Sequence, residues 1–100
     1  VELDIKPELL MQTLAPATPP AIRKALTKLV KVAQRLSEQE LRAHKGLHVH
    51  RIQNQFDVPT GIPLESLEVT DGARLKCMVQ KGKLVLLSLH TDHDETYGRL

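Results

Sequence analysis

One hundred residues give one domain with a modest core, and a hydrophobic content of 41% supports a globular fold. Phe56 and Tyr97 are the only aromatic residues, so the core must be Leu, Val and Ile, and base stacking on aromatic platforms is nearly excluded. The net charge of +2 is only weak support for nucleic-acid binding, because such values are common among small proteins.

In chain order, Val1, Leu3 and Ile5 alternate with Glu2, Asp4 and Lys6, the period of a half-buried strand. Pro7 ends it, and Glu8 to Leu14 suits a short helix carrying Leu9, Leu10 and Leu14. Thr18, followed by Pro19 and Pro20, reads as an N-cap with proline in the first turn. Ile22, Leu26, Leu29, Ala33 and Leu36 then recur at helical spacing and define one apolar face over 19–36. Ser37 and Glu40 form a capping box that opens a second, shorter helix closing near Gly46. The economical arrangement is a helical hairpin. Residues 47–53 are ambiguous, with an alternation that suggests an extended segment, and 54–63 read as a loop around Pro59, Gly61 and Pro63.

Three strands follow, over 64–69, 73–80 and 83–90. Lys81-Gly82 is too short for anything but a tight hairpin. The run Leu84 to Leu89 implies a strand covered on both faces or placed centrally. The order is β-α-α-β-β-β, an α+β fold with a small, mainly antiparallel sheet packed on a helical hairpin. No stretch is apolar for long enough to span a bilayer. The lone Cys77 cannot form an internal disulfide, reads as core filler and fits a reduced, cytoplasmic setting.

Charge is unevenly spread: residues 1–53 hold nine Lys/Arg against five Asp/Glu, and 54–100 hold five against seven. Lys24, Lys28, Lys31 and Arg35 follow helical spacing opposite the apolar stripe. They make either a solvated face or a docking surface for RNA, a ribosome or an acidic partner. His48 and His50 share a face if their segment is a strand. With His90, Asp92, His93 and Asp94 they are potential metal ligands, but no metal-site spacing is present and no metal or other cofactor is expected.

The segment from Leu64 onward carries a resemblance. A strand, an Asp-Gly turn followed by Arg74, a hairpin, an apolar strand and His93-Asp94-Glu95-Thr96-Tyr97 follow one another. That order resembles the C-terminal sheet of the RelE/ParE superfamily of bacterial toxins from type II toxin–antitoxin pairs. The strand with Pro-Glu-Leu-Leu and the helices after it match the family's opening, so the likeness spans almost all of the chain.

The resemblance implies an endoribonuclease that cuts mRNA, with or without the ribosome, and stops translation. In that chemistry a ribose 2′-OH attacks the adjacent phosphate, which requires cations for the developing charge and groups to move protons. Arg74 takes the place of the family's strand arginine, suited to clamp a phosphate. Tyr97 matches the terminal tyrosine, and His93 matches a histidine suited to acid–base work. Without the resemblance, Arg74 reads as an edge cation paired with Asp71 or Asp94, and Tyr97 as a cover for the core. The family commonly has a cation on the strand before the turn, where this chain offers Glu65 and Glu68, and an aromatic residue where this chain has Ala73. Lys76, His48 and His50 are the candidates to compensate. The implied partner is a cognate antitoxin, which typically wraps helices and sheet, and a heterotetramer with it is one assembly the family allows. A ParE-type gyrase inhibitor and a non-catalytic interaction module stay open as alternatives.

Overall fold

Leu67, Leu75, Leu84 and Leu86 are completely buried, and each comes from a strand whose alternate residues turn toward one helical layer. The computed structural model describes residues 1–91. The elements are β1 (Glu2–Ile5), α1 (Pro7–Leu14), α2 (Pro20–Gln34), α3 (Glu38–Ala43), β2 (His50–Phe56), β3 (Pro63–Thr70), β4 (Ala73–Gln80) and β5 (Lys83–Thr91). The five strands form one sheet in the order β1-β5-β4-β3-β2. β1 runs parallel to β5, and the other three pairings are antiparallel. The α+β class and the mainly antiparallel sheet are as expected from the sequence. The ambiguous segment 47–53 contributes most of a further strand, β2, which runs on to Phe56.

Local signals account for most boundaries. Pro7 and Pro20 open α1 and α2 at positions where a missing N–H costs nothing. The capping box of α3 is complete: the Ser37 N–H donates to Glu40 Oε1 at 2.8 Å and the Glu40 N–H to Ser37 Oγ at 3.1 Å. Thr18 does not cap α2 as its position suggests. Pro19 is the N-cap, and the Thr18 hydroxyl donates instead to the Gln12 carbonyl at the end of α1. Lys81 and Gly82 both have positive φ (47° and 75°), as the two-residue turn between β4 and β5 requires.

The main core joins Leu9 of α1, Leu26, Leu29 and Ala33 of α2 and Leu41 of α3 to Leu67, Leu75, Cys77, Val79, Leu84, Leu86 and Leu89. Each fully buried leucine contributes about 1.5–3 kcal/mol of transfer free energy. β5 lies between β1 and β4, which fits its apolar run. Past Leu86 the partner strand β1 has ended, and Gln12 of α1 takes its place. Its side-chain amide donates to the Leu89 carbonyl at 3.0 Å and accepts from the Leu89 N–H at 2.7 Å. One polar pair crosses this core: Arg42 of α3 reaches Glu65 of β3 through two hydrogen bonds of 2.6 and 3.0 Å. That pairing raises the pKa of Arg42 further. Burial, followed by the nearby Glu65 charge, pushes the Cys77 thiol far up, so it stays protonated as core filler.

Candidate nucleic-acid interface

Among the described residues, the other face of the sheet carries no helix. It has an apolar half, where Ile52, Leu64, Met78 and Val85 are buried together with Ile62 and Leu87 packed against them. The loop between β2 and β3 lies over this half and places the Thr60 hydroxyl 3.9 Å from Met78 Sδ. The rest of the face is polar and is organised by strand register.

Two rows cross it. In one, Glu68 of β3 stands opposite Arg74 of β4, which stands opposite His90 of β5. In the next, His50 of β2, Ser66 of β3, Lys76 of β4 and Ser88 of β5 follow one another as cross-strand partners. Directly opposed residues on one face lie within about 4.5–5.5 Å at their Cβ atoms, so each row is a continuous strip of functional groups.

Glu68 ties the first row together. Its Oε1 is 3.2 Å from Arg74 Nη1 and 3.8 Å from His48 Nε2. Arg74 Nη1 also donates to the Thr70 carbonyl at 3.4 Å. The partner of Arg74 is therefore Glu68, not Asp71. Ser88 Oγ and His90 Nε2 are 2.7 Å apart, which couples the ends of the two rows along β5. The two glutamates expected to weaken a phosphate site are separated. Three residues apart on one strand, they point to opposite faces, so Glu65 is buried under α3 with Arg42 and only Glu68 faces the open side.

Arg74, Lys76, His48 and His50 are thus brought together on one face. His93 and Tyr97 lie outside the described residues. Lys24, Lys28 and Lys31 of α2 and Arg35 at its C-cap are exposed, on the far side of the sheet from this face. Among the described residues no three His, Cys, Asp or Glu side chains gather as a metal site.

Ser66, Ser88 and His90 are site residues that the sequence reading did not single out as nucleic-acid contacts. For Ser88 and His90 a β-bulge explains why. From the Lys81-Gly82 turn to Cys77, β4 and β5 pair in simple hairpin register, and between Cys77 and Lys76 the register shifts by one residue at Leu87. Uninterrupted pairing would set Leu87 opposite Lys76 and Leu89 opposite Arg74. The extra residue sets Ser88 and His90 there instead.

On the helical side, α1 and α2 flank a groove of about 510 Å³ over Ile5 and Leu86, with Leu9, Leu26 and Val30 in its walls and Arg23 and Lys31 beside them. Leu10, Met11 and Leu14 of α1 are exposed at 48%, 73% and 77%, a concentration of uncovered apolar surface on one short helix.

No protein-family model and no curated protein sequence matches this chain. Solved structures do. RelE from the archaeal RelE–RelB complex of Pyrococcus horikoshii superposes with a TM-score of 0.64 over 92% of this chain and 94% of its own, at 13% identity. The fold is that of the RelE-like toxins. The conserved protein HP0894 of Helicobacter pylori gives a TM-score of 0.62, covering 95% of this chain and 98% of its own at 13% identity. A copper-bound mutant toxin from Helicobacter pylori gives 0.56 over 95% and 97%, also at 13% identity. At this identity the likeness concerns the backbone, and the RelE-like fold is the frame on which this chain places its own side chains.

Proposed function

We propose that this RelE-fold chain is the toxin of a toxin–antitoxin pair and that it cleaves RNA on the open face of its sheet, arresting translation in the cytoplasm. The observation that carries the reading is the gathering of Arg74, Lys76, His48, His50 and His90 on the sheet face that bears no helix among the described residues. Cations there offset charge developing on a phosphate, and imidazoles move protons near neutral pH. Single-stranded RNA suits a strip of this kind better than a duplex, because a flexible strand follows rows of side chains on a sheet. His93 and Tyr97 keep the roles implied by the family resemblance, proton transfer and orientation of the base or leaving group. The RNA substrate is mRNA, free or on the ribosome.

The antitoxin belongs to the helical side in this reading. The RelE of Pyrococcus horikoshii was crystallised as a complex with RelB, which supports a protein partner for this chain as well. The groove between α1 and α2 offers apolar walls flanked by Arg23 and Lys31, complementary to the apolar face of an acidic amphipathic segment. The cations of α2 add to that potential and are too far around the molecule to share an RNA phosphate with Arg74.

One observation favours a second reading, a non-catalytic interaction module or a gyrase inhibitor: Glu68 already neutralises Arg74. Induction of the protein with labelled methionine and thymidine separates the readings. Early loss of methionine incorporation, together with RNA fragments ending in 2′,3′-cyclic phosphate from the purified protein, is the expected result. Early loss of thymidine incorporation points to gyrase, and normal growth with intact RNA points to a module.

A further inference from the structure

Residues 9–37 contain no Asp or Glu, while Arg23, Lys24, Lys28, Lys31 and Arg35 fall in or beside α2. The helical period divides that helix into separate faces. Leu26, Leu29 and Ala33 are buried in the core. Thr27, Val30 and Lys31 line the groove shared with α1. Ala25, Lys28 and Val32, about half a turn round the helix, line a second cavity of about 390 Å³. Its far walls are Leu47 and Val69, and the Glu68 carboxylate beside it is already engaged by Arg74.

Between the two cavities, Lys24, Lys28, Lys31 and Arg35 form an exposed ridge. Their side chains enter no ion pair among the described residues. Lys24 with Lys28, and Lys31 with Arg35, are like-charge pairs at a spacing that destabilises a helix. Carboxylates laid over the ridge remove that cost. Arg23 differs, because its Nε and Nη2 donate to the Thr13 and Ala15 carbonyls at 2.8 and 2.9 Å and tie α1 to α2. Both cavities are walled mainly by aliphatic side chains and offer no Phe, Tyr or Trp ring for a base to stack on. The ridge therefore suits an acidic polypeptide better than a nucleic acid.

We infer that a single acidic partner segment straddles α2. It sets one aliphatic anchor in the α1–α2 groove, crosses the ridge with carboxylates, and sets a second anchor in the cavity at Leu47 and Val69. A helix is about 10–12 Å across with its side chains, so about four extended residues join the anchors. Linking them makes the second contact intramolecular, and two shallow sites then hold one partner tightly. The inference rests on the protein-partner reading of the groove and adds to it a second site and the path of the partner across α2.

The probe is a fluorescein-labelled synthetic peptide with two leucine pairs separated by about four glutamates, titrated with the full chain by anisotropy. A control peptide keeps only one leucine pair. The two-pair peptide is expected to bind on the order of 10²-fold tighter than the control. Val32→Asp, in the second cavity, should erase that advantage and leave the control peptide bound through the groove. Ala25→Asp tests the same cavity if circular dichroism shows Val32→Asp to be unfolded. Val30→Asp, in the groove, should weaken both peptides. Equal binding of the two peptides, or a two-pair peptide indifferent to a charge in the second cavity, overturns the inference. If Val30→Asp still weakens binding in that case, the groove reading survives. Absence of binding by either peptide overturns both. A Lys24→Gln/Lys28→Gln variant that loses affinity for a short oligoribonucleotide but not for the peptide assigns the ridge to RNA and also overturns the inference.

Discussion

The two faces of the sheet handle charge in opposite ways. Toward the helices, Glu65 enters the core, meets a guanidinium in a two-bond contact and is 3% exposed. Away from the helices, a glutamate, an arginine, a lysine and two histidines lie in two rows with His48 beside Glu68, and Lys76 is left without a counter-charge among the described residues. On the helical face the buried carboxylate finds its counter-charge within the fold. A face on which a lysine lacks a counter-charge among the described residues is suited to bind an anion.

The largest effects are expected on the covered face. Leu86→Ala removes a completely buried side chain from β5 and should cost about 2–5 kcal/mol in urea unfolding. A loss below about 1 kcal/mol would show that β5 is not the stability centre. Arg42→Ala leaves Glu65 buried without its partner. The expected cost is about 3 kcal/mol, at the low end for broken buried pairs because the Arg42 side chain is 42% exposed. Adding Glu65→Leu to Arg42→Ala should restore most of that stability, and a double variant as unstable as the single one would mean that the pair does more than neutralise a buried carboxylate.

On the open face the same size of change should appear in activity and not in stability. Lys76→Ala is expected to lower RNA cleavage on the order of 10²-fold, as for loss of one charge-stabilising contact. Its unfolding free energy should stay within about 0.5 kcal/mol of wild type. The comparison of the two faces fails if stability falls and cleavage does not. Glu68→Arg, which frees Arg74 and adds a cation, should raise cleavage. If it leaves cleavage unchanged but abolishes partner binding, the face serves recognition.

The smallest effect concerns pH. The folded-state pKa of Cys77 is raised, so the folded thiol stays neutral while the unfolded thiol ionises above about 8.5. The stability it contributes is fully present below that pH and is lost as pH rises toward the folded value, by up to about 1.4 kcal/mol per unit. Cys77→Val should flatten the alkaline limb of the stability profile relative to wild type, measured by urea unfolding between pH 8 and 10. Identical alkaline limbs would show that the thiol is solvent-accessible in the folded protein.

Much of the fold was legible because its signals are local. Alternation at Val1–Lys6, prolines at helix starts, the Ser37/Glu40 box and the Lys81-Gly82 turn each act within a few residues. Thr18 misled because its hydroxyl had a better acceptor at the end of the preceding helix. The segment 47–53 was ambiguous because its strand part, the start of β2, lies at the sheet edge, where Ile52 is buried among exposed neighbours such as His50, Arg51 and Gln53. In the candidate site, Arg74, Lys76, His48 and His50 could be picked out by residue type, but their convergence could not.

The sequence by itself determined the α+β class, the position of each helix, the apolar β5 strand and the hairpin that leads into it. Periodicity and turn chemistry act at short range and need no knowledge of the rest of the chain. Only the tertiary structure decided which polar side chains meet. The bulge at Leu87 turns Ser88 and His90 toward Lys76 and Arg74, and the packing of α3 removes Glu65 to the other face. A one-residue shift of register moves every later side chain of a strand to the opposite face, and that shift is set by the packing of the whole sheet.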